Sequence, residues 1–310
     1  MILNETYSLA NDVKIPKLGL GTWFIDDDKA AEAVRNAVKL GYRLIDTAQA
    51  YGNERGVGEG VRTCGVPREE LFVASKVAAE LKTYDAAAKS IDETLEKMGL
   101  TYLDQMIIHS PQPWNEFRVE KRYFEENKEV WRALEDAQSA GKVKVIGVSN
   151  FLKDDLENLL SGCRVKPMVN QILLHISNTD LALVDFCKAQ GILVEAYSPI
   201  AHGEALKTLP LRKWQRSTVC RLRSCVFAMS SSWERWLCPK PPIRRTWKAM
   251  PPWIFPSPIR IWTRFGTWSA SRIMVNSISF PCTAENRWSD AATELPFCCN
   301  IRNKDSLRSD

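Results

Sequence analysis

Two regular patterns of hydrophobic and polar positions alternate along residues 1–206. Short apolar runs between turn residues predict β-strands, and longer stretches with apolar residues three and four apart predict amphipathic helices. The predicted strands are Leu18–Gly21, Leu44–Thr47, Phe72–Lys76, Gln105–His109, Val145–Val148, Val169–Gln171 and Ile192–Ala196. The predicted helices are Asp28–Leu40, Asn53–Cys64, Tyr84–Met98, Phe124–Ala140, Lys153–Leu160 and Asp180–Gln190.

The order of these elements indicates the fold class. A strand followed by a helix, repeated roughly every 30–40 residues, is typical of parallel strands joined by crossover helices. No GxGxxG follows the first strand. We therefore predict an α/β protein with a (β/α)8 TIM barrel rather than an open dinucleotide-binding sheet. In such a barrel the carboxyl ends of successive strands converge on one face, where the active site lies.

The sequence pattern changes after Leu206. Residues 1–206 contain 24 Lys and Arg against 31 Asp and Glu, a net of −7, whereas residues 207–310 contain 18 against 6, a net of +12; the two sum to the +5 of the whole chain. The second part also holds eight of the 11 Trp but only one of the 15 Gly. We therefore divide the chain into a barrel part, residues 1–206, with seven of the eight strands, and a tail, residues 207–310.

The tail allows two interpretations. A basic stretch rich in aromatic residues is typical of nucleic-acid binding. However, its apolar residues keep neither the helical nor the strand period, prolines recur, and turns lack glycine. Its cysteines form no CxxC pair and it has no histidine, so we expect neither a zinc site nor a disulfide framework there. These features favour a tail translated out of frame and without native structure, with no nucleic-acid partner.

No run of about 18 apolar residues occurs, which excludes a transmembrane helix of ordinary length. The first residues lack a basic patch followed by an apolar stretch, so we expect no signal peptide. A cytoplasmic location without a membrane partner is the expectation.

The strand ends carry seven distinctive motifs: LGLGTW, LIDTAQAYGNE, VASKV, IIHSPQPW, IGVSNF, VNQ and AYSPIAHG. In these motifs residues 5–206 resemble the aldo-keto reductase family, most closely its small bacterial members that reduce 2-oxoaldehydes and keto sugars. The resemblance implies NADPH-dependent reduction of a small-molecule carbonyl substrate by a monomer. It also implies a catalytic tetrad of Asp46, Tyr51, Lys76 and His109, and no metal.

The chemistry of these residue types agrees with that role. Hydride addition to a carbonyl leaves an alkoxide, which needs a proton donor such as Tyr51 within hydrogen-bond reach. Lys76 can stabilise the phenolate of Tyr51, and Asp46 can keep Lys76 charged despite burial. His109 would hydrogen-bond the substrate oxygen. Taken singly, a tyrosine after a strand is usually a packing residue and a Lys–Asp pair a surface ion pair. Their place at successive strand ends favours the catalytic role.

The resemblance also implies how the cofactor is held. Gly21, Thr22 and Trp23 would lie beside the nicotinamide, with Gly21 permitting close approach of the backbone. Tyr197 would stack on the nicotinamide ring. The remaining cofactor residues implied by the resemblance are Ser149, Asn150 and Gln171 at the carboxamide, and Ser198 and Ile200 along the pyrophosphate. Ser149 and Asn150 also match a helix N-cap before Leu152, a role compatible with cofactor binding because the two use different atoms.

The implied substrate pocket is walled by Trp23, His109 and Trp114. Val77 and Ser110 stand where many relatives have tryptophan, which suggests an open, polar pocket for a small hydrated substrate. His175 and His202 match family contexts outside the tetrad, so we expect them to be structural or loop residues.

The family pattern of an eighth strand with a phosphate-binding loop is missing after Leu206. When each codon is read two bases later, residues 233–244 can decode as GTVALPKTANP, which restores that strand and loop. We therefore predict a single-base shift near Leu206–Lys207.

The sequence also allows three other interpretations of the chain. The printed chain can be an inactive or misfolded product of a frame-shifted reductase gene, because an open barrel exposes a strand edge. A barrel enzyme using Lys76 as a Schiff-base nucleophile is a second alternative. A redox-sensing binding module of the barrel type is a third, although no added interaction segment is visible.

Overall fold

The computed structural model describes residues 2–175, 178–199 and 201–202. Short strands alternate with helices along this part of the chain. The strands are β1 (Thr6–Ser8), β2 (Lys14–Pro16), β3 (Gly19–Gly21), β4 (Leu44–Asp46), β5 (Phe72–Val77), β6 (Leu103–Ile108), β7 (Val143–Ser149), β8 (Val169–Leu173) and β9 (Leu193–Tyr197). The α-helices are α1 (Asp27–Lys39), α2 (Glu54–Thr63), α3 (Tyr84–Met98), α4 (Phe124–Ser139), α5 (Lys153–Leu160) and α6 (Leu181–Ala189).

The strands from β3 to β9 form one parallel sheet in sequential order. Each strand pairs with the next in parallel register, for example Gly21 with Asp46 and Gln171 with Glu195. This order, with a helix in each connection from β4 to β9, is the arrangement of a (β/α)8 barrel. The predicted fold class is confirmed, and each predicted strand and helix is present with ends within two residues of those expected. The predictions for the eighth strand and for the tail, residues 207–310, lie outside the described residues.

The sheet is buried on both faces in its central strands. Every residue of β5 and β6 is buried, because one face of each strand points into the barrel and the other packs against helices. The helices contribute the apolar stripe that the sequence period predicts, with Val34 of α1 and Trp131 of α4 among the fully buried side chains.

An antiparallel hairpin of β1 and β2 lies at the amino-terminal end of the strands. Leu9 and Ile15 of this hairpin pack with Phe72, Val145 and Val169 in a separate apolar cluster. The hairpin therefore covers the end of the barrel opposite the predicted catalytic face.

Helix α2 carries glycines at positions where its neighbours come close. A Cβ on Gly56 would meet the backbone of Asp27, and a Cβ on Gly58 would meet the backbone of Met98. These glycines let α2 pack tightly between α1 and the end of α3. Because α2 directly follows the turn that carries Tyr51, this packing helps to hold that turn in place.

Candidate active site

The four residues of the predicted tetrad lie at the same end of the sheet. Asp46 ends β4, Lys76 is near the end of β5 and His109 follows β6 directly, where its backbone N–H donates to the Val77 carbonyl at 3.1 Å. Tyr51 lies in a single 3-10 turn, Gln49–Tyr51, just after β4. Parallel strands in register place these positions together, as the sequence predicts.

Lys76 is anchored by three oxygen atoms. Its Nζ donates to both carboxylate oxygens of Asp46 and to the carbonyl oxygen of Thr47, each at 2.7 Å. Burial alone lowers the pKa of Lys76, but the Asp46 carboxylate and the nearby Tyr51 hydroxyl outweigh it and raise the pKa above its usual value. Lys76 is therefore held in place and positively charged at neutral pH, which is the effect that the sequence analysis predicts for Asp46.

Tyr51 lies against this cation. Lys76 Nζ is 5.0 Å from the centre of the Tyr51 ring. Burial raises the pKa of Tyr51, and Asp46 adds to the rise, while Lys76 acts in the opposite direction without cancelling it. The phenol is thus protonated at neutral pH and available as a donor, with the charge of Lys76 placed to stabilise the phenolate once the proton has left.

His109 is a neutral imidazole. Burial, reinforced by the charge of Lys76, lowers its pKa to about 3. Its ring stands edge-on to Tyr51, with ring centres 5.5 Å apart, and edge-on to Trp114, with centres 5.0 Å apart. Its Nδ1 is buried and has no hydrogen-bond partner among the described residues. Tyr51, His109 and Trp114 therefore form a continuous aromatic wall.

The loop after β3 borders the same space. Thr22 donates from its N–H and from its hydroxyl to the Asp46 carbonyl, at 2.9 and 3.0 Å. Among the described residues, no atom lies within 4 Å of a Cβ placed on Gly21, so they leave the space in front of this backbone open. Trp23 is half exposed, stacks on Phe24 and approaches His202 at 5.4 Å between ring centres.

A second polar cluster lies at the ends of β7 and β8. Ser149 Oγ donates to the Gln171 carbonyl at 2.9 Å, and Asn150 Nδ2 donates to Ser149 Oγ and to the His109 carbonyl at 3.1 Å. Tyr197, which ends β9, donates its hydroxyl hydrogen to Asn150 Oδ1 at 2.9 Å. The structure thus brings these four predicted cofactor residues next to the tetrad through Asn150 and His109.

The additional role of Ser149 and Asn150 as a helix cap is wrong. Helix α5 begins at Lys153 with Leu152 as its N-cap, and the Asp155 carboxylate accepts from the Leu152 N–H at 3.0 Å. Asn150 instead adopts a left-handed backbone conformation, with a φ of 63°, and turns its amide towards His109 and Tyr197.

The predicted pyrophosphate segment is described only in part. Ser198 follows β9 in a left-handed conformation and its hydroxyl lies 3.2 Å from His202 Nε2. Ile200 lies outside the described residues.

Two residues that the sequence analysis missed hold the Tyr51 turn. Asn53 accepts from the Thr47 hydroxyl at 2.7 Å and donates to the carbonyls of Thr22 and Ile25 at 2.9 Å. Gln49 accepts from the Ala78 N–H and donates to Ser90 and Thr94 on α3. Both lie within the LIDTAQAYGNE motif, and their polar side chains on either side of the tyrosine were the sequence feature that could have identified them.

A third missed group lies inside the barrel. Glu195 of β9 accepts hydrogen bonds from Gln171 and from Gln105. A glutamate between apolar residues of a predicted strand was the sequence feature that could have identified it, because a carboxyl group facing a barrel interior needs hydrogen-bond partners.

A groove of about 440 Å³ lies at the other end of the barrel, between the hairpin and the starts of β5 and β6. It contains none of the predicted site residues. The convergence of titratable groups, rather than the size of this groove, marks the candidate active site.

Comparison with known proteins decides the family. The model of the aldo/keto reductase family matches residues 17–217. This chain belongs to the aldo/keto reductase family. The glyoxal reductase of Bacillus subtilis (strain 168) is 43% identical over 205 residues, which are 66% of this chain and 70% of that protein. Family membership makes the chain an oxidoreductase and supports carbonyl reduction as its chemistry.

Solved aldo/keto reductases have the same fold as this chain. An aldo/keto reductase from Brucella melitensis matches with a TM-score of 0.66 and 36% identity, over 72% of this chain and 82% of that one. The Bombyx mori aldo-keto reductase, solved in complex with NADP, matches with a TM-score of 0.57 and 34% identity, over 63% of this chain and 66% of that one. These relatives support a nicotinamide cofactor for the family. Within the described ranges, no helix of this aldo/keto reductase is long and apolar enough to cross a membrane.

Proposed function

We propose that this aldo/keto reductase reduces small aldehydes and ketones, such as 2-oxoaldehydes and keto sugars, to alcohols with NADPH. The observation that carries the proposal is the Lys76–Asp46 pair beside Tyr51 and neutral His109 at one end of a barrel. The glyoxal reductase of Bacillus subtilis supports the choice of a small 2-oxoaldehyde as the test substrate.

The residues fit a nicotinamide cofactor. The part of the chain that the structure describes leaves the space in front of Gly21 open, and Ser149, Asn150 and Gln171 offer amide and hydroxyl groups at other strand ends on the same face. These residues, with Thr22, Trp23, Tyr197, Ser198 and Ile200, are proposed to hold the cofactor. When bound, reduced nicotinamide supplies the hydride.

The tetrad has a distinct task for each member. His109 is neutral, so one ring nitrogen donates a hydrogen bond to the substrate oxygen and orients the carbonyl. Tyr51 donates its proton to the oxygen as negative charge develops there. Lys76 stabilises the resulting phenolate, and Asp46 keeps Lys76 charged and in place. Trp23 and Trp114 are proposed to line the substrate pocket together with His109.

The test is NADPH consumption with methylglyoxal, followed for the full chain and for Tyr51→Phe. Turnover that depends on both the substrate and Tyr51 supports the proposal. Gel filtration of the same sample tests the proposed monomer, and cell fractionation tests the proposed cytoplasmic location.

A second candidate is that the printed chain is an inactive product of a frame-shifted reductase gene. The change of composition after Leu206 and the missing phosphate loop favour it. Resequencing codons 200–215 on both strands tests it. A corrected base there restores the eighth strand and loop, and a gene with the corrected frame should then turn over methylglyoxal where the printed chain does not.

The Schiff-base alternative for Lys76 is disfavoured by its contacts. A nucleophilic lysine must be neutral, whereas Asp46 holds the pKa of Lys76 above its usual value despite the opposing effect of burial. Borohydride trapping of a substrate adduct on Lys76 would revive it.

A further inference from the structure

Glu195 lies inside the barrel and contacts side chains on two other strands. Its Oε2 accepts from Gln171 Nε2 on β8 at 2.9 Å and from Gln105 Nε2 on β6 at 3.2 Å. Strands β7 and β8 separate β6 from β9 in the sheet, so the bond to Gln105 crosses the barrel interior. The tetrad does not use any of these three side chains.

The contact with Glu195 fixes which way the Gln171 amide faces. A carboxyl Oε2 that accepts two N–H groups requires the nitrogen of Gln171, and not its oxygen, to point at Glu195. Gln171 Oε1 makes no hydrogen bond to the described residues, and it is not among their unpartnered buried atoms. The side-chain carbonyl oxygen of Gln171 therefore has no hydrogen-bond partner among the described residues.

Two buried oxygen atoms of the Glu195 and Gln105 side chains lack a hydrogen-bond donor within the described part of the chain. Glu195 Oε1 and Gln105 Oε1 are both buried, and neither has a hydrogen-bond partner among the described residues. Two acceptor oxygens left in this way are costly, whereas a neutral carboxylic acid could donate from Oε1 to the Gln105 carbonyl. The amide and the acid would then form a closed pair of hydrogen bonds.

The electrostatics make the neutral form of Glu195 accessible near neutral pH. Burial raises the pKa of Glu195 to about 7, although the hydrogen bond from Gln171 acts against the rise. Among the described residues the charged groups that act on it are Asp46, which raises the pKa further, and Lys76, which lowers it. Gln105 also lowers it through its hydrogen bond.

We propose that Glu195 is a positioning residue that orients the Gln171 amide, so that the Gln171 carbonyl oxygen faces the carboxamide of the bound nicotinamide. This inference rests on the proposed cofactor role of Gln171. Glu195 itself touches neither substrate nor cofactor. In its neutral form Glu195 donates to Gln105 and accepts from Gln171, and these hydrogen bonds fix the orientation of both side-chain amides.

Three variants of the full chain test the proposal through NADPH affinity, measured by fluorescence titration. Glu195→Gln places an amide N–H where the acid O–H stood, so it should keep the affinity within about threefold. Glu195→Leu removes the acceptor and should weaken binding roughly tenfold, the effect of one lost hydrogen bond to a buried group. In a Gln171→Ala background the same Leu substitution should change affinity less than about twofold.

The last comparison separates positioning from a structural effect. An equal weakening by Glu195→Leu with and without the Gln171 side chain would overturn the proposal, because a general loss of stability does not depend on Gln171. A Glu195→Gln variant as damaged as Glu195→Leu would overturn it too. Melting temperatures of all variants show whether each is folded.

A second measurement does not depend on cofactor binding. The side-chain amide resonances of Gln171 should shift with pH around a midpoint of about 7 in the full chain, and should not titrate in Glu195→Gln. If the chain binds no NADPH, the proposed function fails, while this titration still tests the contact between Glu195 and Gln171. Gln171 resonances that ignore both pH and the substitution would overturn the assignment.

Discussion

Lys76 Nζ lies 2.7 Å from both carboxylate oxygens of Asp46, and the lysine side chain is almost wholly buried, with 1% exposed against 18% for the aspartate. Because of this difference in burial, Lys76 depends on the ion pair more than Asp46 does. A cation left in the barrel interior without its partner has no water to solvate it, whereas Asp46 reaches the solvent.

Asp46→Asn should therefore destabilise the protein more than Lys76→Met. The first variant leaves a buried ammonium with its pKa lowered by burial, and such a loss costs about 3–5 kcal/mol. The second leaves a carboxylate that keeps some hydration. Urea unfolding of both variants and of the double variant measures the difference. If Lys76→Met is the less stable variant, or if Asp46→Asn and the double variant unfold alike, Lys76 is not the group that depends on its partner.

Tyr51 should contribute to turnover but not to the affinity for NADPH. Replacing its hydroxyl in Tyr51→Phe removes the proton donor and should lower kcat by about 10²–10⁴-fold, the usual effect of general acid catalysis. The NADPH dissociation constant should stay within about twofold, since the ring still packs against His109 and Lys76. Parallel turnover and fluorescence titrations measure both quantities. A matched fall in affinity would assign Tyr51 a binding role instead.

His109 should remain neutral throughout the working pH range. Its pKa of about 3 lies below that of the unfolded chain, so the folded protein binds fewer protons than the unfolded chain between these two values. His109 thus contributes stability that is present above about pH 6.5 and is lost as the pH falls towards 3. The ring nitrogen resonances of His109, assigned with His109→Gln, should show no titration between about pH 5 and 8. An inflection near pH 6.5 that disappears in His109→Gln would contradict this.

Asn53 should be needed for the geometry of the Tyr51 turn. Asn53→Ala removes the partners of the Thr47 hydroxyl and of the Thr22 and Ile25 carbonyls, and should cost about 1–3 kcal/mol of the free energy of unfolding. Because the turn between Thr47 and Asn53 carries Tyr51, kcat should fall as well. Asn4→Ala, at an exposed position, is the matched control and should change neither quantity. Equal unfolding free energies for the two variants would show that Asn53 does not hold the turn.

The sequence was sufficient to predict the barrel strands because each is a short apolar run followed by a chemically distinctive loop. Lys76 and Asp46 could be paired from sequence because parallel neighbours in register end at the same face. The hairpin that contains Leu9 and Ile15 was not predicted, since strands of three residues carry too few positions to show an alternating pattern.

Contacts across the barrel could not be predicted from sequence. Glu195 meets Gln105 only because strands that are distant in the chain curl towards each other, and a linear pattern holds no information on that distance. The cap role considered for Ser149 and Asn150 is wrong for a related reason. Asn150 has tertiary partners on His109 and Tyr197, and these override the local preference of asparagine for a cap.

In the proposed reaction, Tyr51, supported by Lys76, donates the proton in an NADPH-dependent carbonyl reduction. The most direct test is the kcat for methylglyoxal of the full chain with NADPH, divided by the kcat of the Tyr51→Phe variant. We expect measurable turnover of the full chain and a ratio of about 10² or more. Turnover that survives in Tyr51→Phe, or a folded full chain that binds NADPH but does not turn over, would contradict it.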